Sequence, residues 1–202
     1  MKKHLAYVLA LFMAAAVALT LAGCGNDASR ARECVEGGDG VLAEAAVIGD
    51  ELTGKVESLL SGLGAELSRG EKPDAEKFKE GMEGVHGLFD ELDMKYDEAK
   101  SSYGKVEGLK GVDDYKEYAR TRMAQIIISE EMLEDIRSHL DKLERDISSS
   151  RFDAAALAEE ASVLGERVER KAEEVTDLMN RAEKIKVQKG SGTKTSISTI
   201  RQ

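Results

Sequence analysis

Several residues in this chain have the type and spacing to do chemistry. Glu83 and His86 form a Glu-x-x-His pair, the helical spacing with which di-iron bundles hold metal. Asp135 and His139 lie one helical turn apart, as a carboxylate–imidazole pair would. Arg122, Ser129 and Lys171 fall at positions that otherwise carry apolar residues. They could form an inward polar layer that fixes register, or a small anionic-ligand site. The acidic doublets Glu130-Glu131, Glu159-Glu160 and Glu173-Glu174 supply carboxylates in pairs.

These residues belong to long helices, and helical register decides what they can do. Phe78, Met82, Val85, Phe89, Leu92, Tyr96, Ala99, Tyr103 and Val106 are spaced alternately by four and three, a heptad stripe. On that register Glu83 and His86 fall at outward or flanking positions. A metal site would also need a second Glu-x-x-His, and residue 136, three before His139, is Ile. The spacing therefore argues against a metal centre. The acidic doublets read as solvated helix faces. No nucleophile elbow and no phosphate-binding glycine loop occurs.

Further stripes run through Tyr115, Ala119, Ile126, Leu133, Ile136, Leu140, Leu143 and Ile147, and through Leu157, Ala161, Leu164, Val168, Val175, Leu178, Ala182 and Ile185. A looser one runs through Leu52, Val56, Leu59 or Leu60, Leu63 and Leu67. Short breaks separate them. Gly70 and Pro73 suit a helix stop and a helix start; Gly111 precedes Asp113 as a candidate N-cap; Ser150 stands three before Asp153. Short links force antiparallel neighbours. The expected fold is all-α: an elongated, antiparallel up-down-up-down four-helix bundle over 41–187. Fourteen glycines lie from Cys34 to Gly111, the last included, and Gly165 alone lies between Val112 and Val187. Interior glycine weakens a helix, which predicts faster hydrogen exchange over 41–108 than over 115–187.

The amino-terminal segment has a different character. Lys2 and Lys3 precede an apolar run from Leu5 to Leu19, then Leu21-Ala22-Gly23-Cys24. This layout resembles the signal peptide of bacterial lipoproteins, with all four lipobox positions matched. The resemblance covers about the first 25 residues only. It implies that residues 1–23 are removed, that Cys24 receives covalent lipid, and that the protein sits extracytoplasmically on a cell membrane or outer membrane. Residues 24–40 would then be a lipidated linker. With Cys24 lipidated, Cys34 has no partner within the chain and is a candidate intermolecular thiol in a homodimer.

Composition narrows the function. The net charge is −10, and it becomes −12 when a leader carrying Lys2 and Lys3 and no acid is removed. Such an acidic chain is a poor wrapper of nucleic acid. From Lys184 onward the chain carries Lys184, Lys186, Lys189, Lys194 and Arg201 and no acid. Residues 188–202, rich in Gly, Ser and Thr, read as a disordered basic tail placed for anionic headgroups. The sequence thus points to a non-enzymatic, lipid-anchored module that binds an envelope protein or polymer and needs no cofactor beyond its lipid. The alternative is a bundle that senses or carries a ligand near Arg122, Ser129 and Lys171.

Overall fold

A computed structural model describes the backbone of residues 2–70, 72–149 and 153–185, with side chains from Asn26 onward apart from 157 and 158. Four helices follow one another: α1 (Lys2–Ser68), α2 (Ala75–Gly104), α3 (Asp113–Ser148) and α4 (Ala154–Lys184). There is no strand among the described residues. Consecutive helices pack against each other, α1 on α2, α2 on α3 and α3 on α4. The chain is an all-α helical bundle.

The links form for local reasons. Gly70 closes α1 at φ +73°, a conformation that a side chain would strain. Asp74 then caps α2, its carboxylate accepting from the amides of Glu76 at 3.1 Å and Lys77 at 3.2 Å. Gly111 turns the second link at φ +67°. The cap of α3 is Val112 rather than Asp113; Asp113 and Asp114 lie in the first turn, where carboxylates favour the helix dipole. Asp153 caps α4 through the amides of Ala155 and Ala156.

The core falls into two clusters. The upper one gathers Leu52, Met82, Phe89, Leu92, Leu140 and Ile147. The lower one gathers Ala31, Val35, Tyr103, Tyr118, Ala119 and Ile126 with Ala182 of α4. Ala31 and Val35 belong to the stretch read from the sequence as a linker, 24–40. That reading is corrected here: α1 runs through it without a break, and its small side chains pack into the lower cluster. Ala28, Ala31, Val35, Gly38, Leu42, Ala45, Gly49, Leu52, Val56, Leu59 and Leu63 continue one heptad stripe. Its alanines and glycines allow close approach where its leucines would not.

The helices are buried to different degrees. α2 buries residues along most of its length, from Phe78 to Tyr103. Along α4, Ala182 alone among the described side chains is buried, while Leu164, Val168, Val175 and Leu178 are half-covered by α3. Helices are held in water chiefly by a covered face rather than by propensity. The amides of 159–180 are therefore expected to exchange faster than those of 82–99, despite Gly81, Gly84 and Gly87 in α2. Hydrogen exchange read by mass spectrometry checks this; slower exchange in α4 would contradict it. The glycine count suggested the opposite half, because it measures propensity and not cover.

Candidate functional site

The most developed polar arrangement lies in the lower cluster, where α1, α2 and α3 meet around Asp39. Heptad spacing places Gly38 against α2, and Asp39 follows it toward α3. The Tyr103 hydroxyl donates to Asp39 Oδ1 at 2.7 Å. The Tyr118 hydroxyl lies 2.9 Å from both carboxylate oxygens of Asp39. Arg122 stands one turn beyond Tyr118, and its Nε donates to that hydroxyl at 3.0 Å. Its Nη1 donates to Gln125 Oε1 at 2.9 Å, and its Nε lies 3.6 Å from Asp39 Oδ1. The guanidinium carbon sits 5.2 Å from the Tyr118 ring centroid.

Burial makes these partners matter. Tyr103 is 0% exposed and Tyr118 8%. Burial, reinforced by the Asp39 charge, raises the Tyr103 phenol far above its ordinary value. Burial raises the Tyr118 phenol as well, partly offset by the bond from Arg122. Both tyrosines therefore remain protonated through the neutral range and act as hydrogen-bond donors rather than bases. The arrangement ties three helices together at one level through groups that satisfy each other. A Cβ at Gly38 would stand 2.6 Å from Tyr103 Cε1, so glycine is what lets the ring reach Asp39.

Of the three residues expected to share a polar layer, Arg122 alone belongs to this network. Ser129 is buried two turns farther along α3, on the side facing Tyr96 of α2. Lys171 lies on the α3–α4 seam, 3.0 Å from Asp135 Oδ2 and 3.4 Å from Glu131 Oε2. The structure does not bring the three together. Asp39 escaped the sequence reading because it falls in the segment taken as linker. The signal that could have found it is the heptad continuity of Ala31, Val35 and Gly38.

The other candidates are dispersed. His86 is a flank residue, its Nε2 3.5 Å from Asp141 Oδ1 across the α2–α3 seam. His139 lines a cleft between α3 and α4 with Lys142, Glu160 and Arg167; burial pushes its imidazole below the ordinary value. Asp135, one turn away, instead meets Arg167 at 3.0 Å and Lys171 at 3.0 Å. Among the described residues no group of three or more His, Cys, Asp or Glu is placed to hold a metal ion. Cys34 is half-buried against the lower cluster. Lys184 is exposed. The side chain of Cys24, and all of Lys186, Lys189, Lys194 and Arg201, lie outside the described residues.

The amino-terminal end of the described body is also tied down. The backbone N–H of Lys110, in the α2–α3 link, donates to Asp27 Oδ2 at 3.1 Å. Arg120 grips Glu107 in the same link through two bonds of 2.6 and 2.8 Å, holding the Glu107 carboxyl below its usual range. Among the described residues no helix is long and apolar enough to cross a membrane. No protein-family model matches the chain, and no curated protein or solved structure matches it.

Proposed function

We propose that this protein is a lipid-anchored, extracytoplasmic lipoprotein whose helices form a non-enzymatic scaffold for an envelope protein or polymer. The observation that carries the reading is the sequence Leu21-Ala22-Gly23-Cys24, whose cysteine stands three residues before Asp27, the residue that fastens the α2–α3 link to α1. Lipid on Cys24 would attach directly to the base of the bundle, without a slack tether. Two or more acyl chains hold a protein stably at a bilayer, where one does so marginally. Lys184 closes α4 beside Ala182, which packs in the same lower cluster as Ala31, and a cation close to anionic headgroups gains roughly 1 kcal/mol.

The scaffold reading is favoured over a ligand carrier centred on Arg122, Ser129 and Lys171. Those side chains stand apart, and Arg122 is engaged by Tyr118, Gln125 and Asp39. The protonated tyrosines offer no base at neutral pH.

The test is metabolic labelling with radioactive palmitate in a bacterial host. Full-length protein is expected to take up label and to fractionate with membranes. Cys24→Ser is expected to lose the label. Wild-type protein that stays unlabelled, or label retained in Cys24→Ser, overturns the proposal.

A further inference from the structure

The geometry points to a ligand groove for a single-chain anionic amphiphile, such as a fatty acid, on the α1–α2 face far from the Asp39 network. The groove encloses about 380 Å³. Its floor is Leu59, Leu63 and Phe78, and it ends against Pro73 and Asp74. This inference does not rest on the lipid anchor.

Glycines create the space, and two of them have no packing reason to be there. A Cβ at Gly81 would meet Leu59 Cδ1 at 2.7 Å, so that glycine serves the helix contact. At Gly62 a Cβ would meet nothing within 4 Å, and at Gly84 it would meet only the Lys55 ammonium, at 3.6 Å. Glycine within a helix carries a cost that alanine avoids. At Gly62 and Gly84 the fold gains no contact in return. What their missing side chains leave is the open groove.

Charge and size select the occupant. The Lys55 ammonium lies across the groove over Gly84, at the end opposite Pro73. Its partner Glu51 is 3.3 Å away on the solvent-facing side of α1, with both side chains about half exposed, so Lys55 can turn to a bound anion. Glu66, at the other end, already accepts from the Asp74 amide at 3.2 Å and from Lys77 at 3.2 Å. Its negative charge is thereby neutralised locally. A carboxylate would meet Lys55 while an acyl chain followed the apolar floor toward Pro73. From Lys55 to Glu66 the groove runs about 16 Å at 1.5 Å per residue. A partner helix, about 10–12 Å across with side chains, would lie over the groove from outside, and it is the occupant that the test separates from an amphiphile.

The test is photo-crosslinking of full-length protein, kept in solution by an amphipol whether or not Cys24 carries lipid, with a diazirine derivative of dodecanoic acid. Adducts are expected on segments 55–66 and 73–84, and unlabelled dodecanoate is expected to compete better than dodecanol. Gly62→Leu and Gly84→Leu fill the groove and are expected to cut labelling at least ~10-fold, as a filled apolar pocket loses its ligand. Lys55→Gln is expected to cut it up to about 5-fold, the scale of an exposed ion pair. Gly62→Ala, which raises helix propensity without filling the groove, is expected to keep its label. Circular dichroism confirms that each variant remains helical. Four outcomes each overturn the proposal: label spread outside both segments, undiminished label in both leucine variants, equal competition by dodecanol, or no groove adducts, as when a protein segment occupies the site.

Discussion

Replacing Asp39 with alanine lowers the free energy of unfolding by about 2–3 kcal/mol. Asp39 is the shared acceptor of two tyrosine hydroxyls and the ion partner of Arg122. Without it, the Tyr103 hydroxyl is left in a site with 0% residue exposure, and the Arg122 guanidinium keeps only neutral partners there. Breaking a fully buried charged pair costs about 3–5 kcal/mol. The Asp39 side chain is 37% exposed, so water replaces part of what is lost and the expected cost is smaller. Asp39→Asn keeps an oxygen acceptor and should cost about 1 kcal/mol. Urea titration with an unchanged slope reads both values. A loss below ~0.5 kcal/mol in Asp39→Ala would mean that the network is ornamental.

Truncating Tyr103 is the larger perturbation. Tyr103→Ala is expected to cost about 3–5 kcal/mol, because a fully buried ring leaves a cavity. Tyr103→Phe should cost about 1 kcal/mol, the hydroxyl's share. Gly38 supplies a coupled test. Gly38→Ala drives a Cβ into the Tyr103 ring and should cost about 1–3 kcal/mol. In the Tyr103→Ala background the same change should be neutral or stabilising by up to ~1 kcal/mol, since the ring is gone and alanine favours the helix. Additive effects would show that the close approach is unimportant.

Alkali probes the same ring by a different route. Tyr103 has a folded pKa raised above its unfolded value, so its contribution is complete below the unfolded pKa of about 10 and is lost as pH rises. Above pH ~10 it should cost about 1.4 kcal/mol per pH unit, because the unfolded chain ionises and the folded one does not. Denaturation at pH 9.0, 10.5 and 11.0 (assay values of about these magnitudes) should show a shallower decline in Tyr103→Phe.

The helices with large apolar residues were legible from spacing alone. Phe78 to Val106 declares α2, and Tyr115 to Ile147 declares α3. The start of α1 was not legible in the same way. Gly37, Gly38 and Gly40 read as flexible when each is judged by propensity, yet Gly38 is a contact position whose emptiness admits Tyr103. The inward placement of Arg122 followed from register, but its partner did not, because Asp39 lies eighty-three residues away and in the segment taken as a tether. Ser129 and Lys171 share the periodicity of Arg122. A one-dimensional stripe does not tell which neighbour each residue faces, and here Ser129 faces α2 while Lys171 faces α3.

The unbroken α1 makes this molecule a ruler. From Asn26 to Ser68 it spans about 63 Å at 1.5 Å per residue. Near one end Asp27 holds the α2–α3 link, and at the other Lys72 Nζ reaches the carbonyl of Ser149, joining the two distal turns. The heptad register makes that length quantised. Removing seven residues from α1 alone would slide Gly38 off Tyr103 by about 10 Å. Only matched deletions in the helices packed together would shorten the body and keep its contacts. Any change in the span between base and tip must therefore come in whole heptads, in steps that several helices take at once.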